Sequence, residues 1–179
     1  MTLRNMEGAI DDHRLRDVDI LILSGITHTS TTTGLSAAEV DAIERFVGEG
    51  GSLLCSGQVW SWTYSSYGNH PADTHPYNQI GKRLGFEITG MNVGAPTYFS
   101  TAMMSGVTNI VRTHWWPSKI QFASPVAHPI IRDERLYPIA GDLTYGRGRV
   151  VVVGHDGMLE ENPDLARRVL SYLAAPHAD

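Results

Sequence analysis

The chain has 179 residues, of which 42% are hydrophobic and 18% charged, and its formal net charge is −5. This balance fits a globular protein able to bury a core. It argues against a general nucleic-acid binder, because phosphate contacts need a basic face. No apolar run approaches the roughly 20 residues of a membrane span. The polar start MTLRNMEGAIDDHR lacks the apolar h-region of a signal peptide. The single cysteine leaves no internal disulfide and suits a reducing compartment, so a cytoplasmic location is expected. No repeat or low-complexity linker divides the chain, and one domain over residues 1–179 is expected.

In chain order, VDILILS (18–24) is a nearly continuous apolar run and predicts a strand buried on both faces. A polar loop, GITHTSTTTG, follows. LSAAEVDAIERFVGEGG predicts a helix. Ser36 and Glu39 form a capping box, Val40, Ile43, Phe46 and Val47 share one face, and Gly48, Gly50 and Gly51 stop it. SLLCS (52–56) predicts a second buried strand, completing a parallel βαβ unit.

Beyond Gly57 the stretch VWSWTYSSYGNHPADTHPY is aromatic, polar and broken by proline, and predicts a long surface loop. YNQIGKRLGF predicts a short helix ending at Gly85, and FEITG a short strand. Residues 91–116 carry no clear pattern beyond a candidate helix around VTNIVRTHW. KIQFA predicts a strand. YPIAGDLTYGRGRVVVVGHD predicts a hairpin around Gly146-Arg147-Gly148. ENPDLARRVLSYLAA predicts a final helix with Asn162 as N-cap, Pro163 in the first turn, and Leu165, Val169 and Leu173 inward. The sum is a three-layer, flavodoxin-like α/β architecture with a mostly parallel sheet and a late antiparallel hairpin.

Two stretches carry a resemblance. GEGGSLLCSGQVWSW gives a double glycine, a strand and a G-Q-x-W turn, and YGRGRVVVVGHD gives a glycine turn, an apolar strand and G-H. Together with the flanking helices they resemble class I glutamine-amidotransferase-like domains, over about residues 17–175. Within that group the likeness is greatest to the domain accompanying enhancin-like mucin peptidases and channel-associated factors, with the ThuA-like branch as competitor. The resemblance implies a ligand site at the carboxyl ends of the strands, and many such domains lack enzyme activity. Such domains usually begin with a strand and helix that precede the equivalent of VDILILS, whereas 17 mostly polar residues precede it here. A truncated start, or a homodimer through this strand edge, is therefore expected.

The candidate chemistry divides into two readings. Catalytic amidotransferases carry their nucleophile in G-x-C-x-G. Leu53-Leu54-Cys55-Ser56-Gly57 keeps only the second glycine. Cys55 would act as nucleophile and His155 as base, with Asp156 or Glu160 orienting the histidine. The acid that relatives place two residues after the histidine is Gly157 here. In the other reading Cys55 is a small apolar strand residue and the site only binds. Gly57, Gln58, Trp60, Trp62 and Tyr64 would then contact a small-molecule or carbohydrate ligand, or the rings would simply cover the sheet end. His114, Trp115 and Trp116 would pack on the same side. His70 and His75 flank Asp73, but a proline-broken loop without H-E-x-x-H is a poor zinc frame. No metal and no cofactor is expected. The expected function is a non-catalytic binding or accessory domain, the alternative a cysteine-dependent hydrolase or amidotransferase.

Overall fold

In a computed structural model, residues 5–26, 34–64, 69–94, 97–100, 110–112 and 115–176 are described, 97–100 and 110–112 by their backbone alone. The elements are α1 (Asp12–Leu15), β1 (Ile20–Ser24), α2 (Ala37–Gly48), β2 (Ser52–Ser56), α3 (Trp60–Thr63), α4 (Pro76–Leu84), β3 (Phe86–Asn92), β4 (Thr97–Ser100), β5 (Ile110–Arg112), β6 (Ser118–Phe122), β7 (His128–Arg132), β8 (Pro138–Tyr145), β9 (Gly148–Val153), α5 (Gly157–Glu161) and α6 (Pro163–Ala174).

Seven strands form one sheet in the order β1-β2-β9-β8-β7-β4-β5. β1, β2 and β9 run parallel, with Leu23 beside Cys55 and Cys55 beside Val152. From β9 onward each pairing is antiparallel. The antiparallel part therefore extends well beyond the hairpin legible in the sequence. β3 and β6 form a separate antiparallel pair.

Side-chain alternation along the strands sends neighbours to opposite faces. Leu53, Cys55, Val150 and Val152 pack with Ile43 and Val47 of α2, Ile80 and Leu84 of α4, and Phe86, Ile88 and Ile120 of the small sheet. Leu54, Val151 and Val153 pack with Met158 of α5 and with Leu165, Val169 and Leu173 of α6. The result is three layers, as the alternating pattern implied.

Several local expectations hold. Ser36 Oγ accepts from Glu39 N (3.3 Å) and Glu39 Oε2 accepts from Ser36 N (2.9 Å), closing the capping box on α2. Gly85 ends α4 in the left-handed region at φ 94°, where glycine alone is unstrained. Others need correction. β1 is not buried on both faces. It lies at the sheet edge, so Leu21 is buried while Ile22 is 37% exposed. The outer side of β1, through which a homodimer was expected, bears no strand among the described residues. The 59–77 stretch is not all loop, since α3 and a 3-10 turn at Ala72–Thr74 lie within it. Ile110–Arg112 is strand rather than the expected helix, and its β-branched pair Ile110-Val111 suits the antiparallel ladder with β4.

Candidate functional site

The parallel strands deliver their carboxyl ends to one end of the sheet, where open α/β sheets bind ligands. There β2 leads into α3 and β9 leads into α5. A cleft of about 530 Å³ opens between these connections, lined by Gln58, Trp60, Trp115, Trp116, His155, Asp156, Gly157 and Glu160. Five of the residues expected from sequence thus meet at one place, although Gln58 and Glu160 are far apart in the chain.

Backbone anchoring fixes the rings. Ser118 Oγ accepts from Val59 N (3.0 Å) and Trp60 N (3.1 Å), holding the first turn of α3 against β6. The Trp60 indole N–H donates to the Trp116 carbonyl at 2.6 Å. Trp60 also meets Trp116 at a 6.3 Å centroid distance and Tyr64 edge-on at 6.4 Å. Trp115 stacks on His155 at 5.1 Å and 23°. A Cβ at position 157 would overlap the Trp115 ring. Gly157, where the resemblance leads one to look for an acid, is therefore the seat of a tryptophan.

His155 is nearly buried. Its Nδ1 lies 2.8 Å from Asp156 Oδ1 and 3.0 Å from Gly157 N. Two lone pairs do not approach to 2.8 Å, so Nδ1 is assigned the proton and donates to Asp156. The Gly157 N–H then belongs to Asp156 Oδ1 at 3.1 Å, where it caps α5. The hydrogen bond from His155 holds the Asp156 carboxyl below the usual carboxylate range, so it is ionised.

Four expected site residues do not line the cleft. Cys55 sits within β2, fully buried among apolar side chains, and burial pushes its thiol well up. The exposed, low-pKa thiolate that nucleophilic catalysis requires is not what this position offers. Nor does Cys55 stand on a strained elbow, because the described non-glycine residues with positive φ are Asn69 and Leu136. Gly57 gives Tyr77 room, since a Cβ there would come within 2.7 Å of that ring. Trp62 is buried, its indole N–H donating to Thr74 Oγ1 at 3.0 Å. Tyr64 is exposed, does not line the cleft, and meets Trp60 edge-on.

The histidine loop is scattered rather than gathered. His75 is buried between Trp62 (5.1 Å) and Tyr77 (4.6 Å), His70 lies on Trp62 (4.8 Å), and Asp73 pairs with Lys82. Among the described residues, no three His, Cys, Asp or Glu side chains group as metal ligands. His114 lies outside the described residues.

Sequence reasoning missed Ser118 as the anchor of Trp60. A serine just before the predicted strand KIQFA carries no local sign that it will bond a helix start 58 residues away.

A family model described as "TRPM8, N-terminal domain" (TCAF_N) matches residues 28–103. The chain is similar to a TRPM8 channel-associated factor homolog of Xenopus laevis, 27% identical over 151 residues, covering 73% of this chain and 17% of that protein. It is also similar to TRPM8 channel-associated factor 2 of Bos taurus, 26% identical over 138 residues, covering 64% and 15%. The chain thus spans about a sixth of the length of these relatives. Among solved structures, a cytoplasmic protein from Salmonella typhimurium superimposes with a TM-score of 0.67 at 14% identity, over 93% of this chain and 76% of that one. A ThuA-like protein from Bacteroides uniformis gives 0.53 at 13% identity, over 92% and 70%. These structural likenesses establish the fold. No helix among the described residues is long and apolar enough to cross a membrane.

Proposed function

We propose that the chain is a non-catalytic accessory domain of the amidotransferase-like type, which binds its ligand in the tryptophan cleft. One observation carries this reading. Gln58, Trp60, His155, Asp156 and Glu160 converge on the cleft, whereas Cys55, the only thiol, is sealed in the core. An open concavity with aromatic walls and a few polar groups suits binding. A cysteine hydrolase would need its nucleophile in that concavity. The names of the relatives, channel-associated factors, support an accessory role within a larger assembly, with a protein partner. The reading includes a cytoplasmic location, which a buried, unpaired cysteine suits.

The test has two arms. Tryptophan emission and indole N–H resonances are followed while a panel of saccharides and small amines is titrated. Esterase and glutaminase activities are measured on the native protein and on Cys55→Ala. The expected result is a saturable shift at Trp60, Trp115 or Trp116 and no cysteine-dependent turnover. Turnover that Cys55→Ala abolishes would overturn the reading in favour of an enzyme.

A further inference from the structure

The charge of the cleft narrows its ligand. Two carboxylates, Asp156 and Glu160, stand with three indole rings. Among the described lining residues there is no lysine or arginine. Asp156 is held ionised and Glu160 is exposed. Among the residues whose side chains are described, the cations at the same end of the sheet, at the end of β7, on the β7–β8 connection and on β6, are engaged elsewhere. Lys119 Nζ lies 4.5 Å over the Tyr137 ring. Arg135 reaches Asp133 at 3.7 Å and the Val93 carbonyl at 3.4 Å. Arg132 donates to the Leu136 carbonyl at 2.8 Å.

An anion entering the cleft would meet two like charges. A neutral polyol could stack on the rings but would leave the carboxylates without a counter-charge. A cation gains from both, because the faces of indole rings attract positive charge and do so most strongly where water is excluded.

We propose that this cleft takes an organic ammonium group, held between the tryptophan rings and the carboxylates of Asp156 and Glu160. The inference rests on the binding reading above and names its ligand class. Quaternary ammonium compounds and protonated amino sugars share this chemistry.

The experiment titrates the intact chain with choline, with neohexanol (its uncharged carbon isostere), with glucosamine and with glucose. Affinity is read by calorimetry and the site by the indole N–H resonances. Choline or glucosamine is expected to bind about tenfold or more tightly than its neutral counterpart, with shifts at Trp60, Trp115 and Trp116. Which of the two binds more tightly identifies the source. Glu160→Gln, at an exposed position, is expected to weaken the charged ligand several-fold and leave the neutral one unchanged. Equal affinity for charged and neutral members of a pair would overturn the inference, as would indifference to Glu160→Gln. If glucose binds in the cleft and the ammonium compounds do not, the binding reading stands and this inference falls. If nothing binds, both fall.

Discussion

His75 offers a direct test of the packing. It is fully buried, with Nδ1 accepting from Tyr77 N at 3.3 Å to cap α4. Burial pushes its pKa down from the ordinary 6.5 to about 4. The ring is therefore neutral in the folded chain at pH 7. In the unfolded chain it takes up a proton as pH falls through 6.5. Between the two values the unfolded state binds more protons, so stability falls on acidification and levels off below the folded value. The gap of roughly 2.5 units corresponds to about 3 kcal/mol at about 1.4 kcal/mol per unit. Urea unfolding would be measured from pH 7.5 to 4 for the native protein and for His75→Asn, which keeps a capping side chain. Carboxylates contribute to both curves, so the informative quantity is their difference. His75→Asn starts less stable, and the gap is expected to close by up to about 3 kcal/mol as the pH falls. A difference that stays constant with pH, or a His75 ring resonance that titrates near 6.5 in the folded protein, would refute the argument.

Three further outcomes follow from the same structure. Cys55 is expected to react with iodoacetamide far more slowly in the native chain than in urea, with no change in His155→Ala, and Cys55→Ser should cost roughly 1–3 kcal/mol by placing a hydroxyl among apolar neighbours. Gly148→Ala would drive a Cβ into the carbonyl oxygens of Val47 and Gly51; a loss of about 3 kcal/mol is expected, seen as a fall of about 10 °C in melting temperature. Gly157→Ala should displace the Trp115 ring and weaken ligand binding in the cleft, with the melting temperature little changed; an unaltered Trp115 indole resonance would contradict this.

Much of the fold was legible because its signals are local. Ser36 and Glu39 lie three residues apart, Pro163 opens α6, and the glycines at 146 and 148 bound an apolar strand. The role of Cys55 was not, because alternation assigns it to a face only once the parity of β2 against α2 and α6 is known. Trp60 and Trp62 show the same difficulty. Read as loop residues they look equivalent. On the helix α3, residues two apart point to different sides, and one ring lines the cleft while the other enters the core. The cleft residues after β9 were legible because a strand end followed by Gly-His-Asp marks a loop at the sheet's carboxyl end. Trp115 and Trp116 sit there through a β6 that the sequence could not assign to either sheet.

β9 is bonded parallel to β2 on one side and antiparallel to β8 on the other. This reversal brings the β7–β8 connection, Asp133 to Tyr137, to the same end as α3 and α5, while the Gly146-Arg147 turn goes to the opposite end. That end of the sheet thus carries two kinds of connection with separate structural duties. The βα connections must also seat helices on the core. The hairpin tip carries no such duty, and its Leu136 is 68% exposed. Lengthening or recharging that tip would change the surface at the cleft's end of the sheet while leaving the ladder intact, which makes it a natural place for an engineer to graft a new contact.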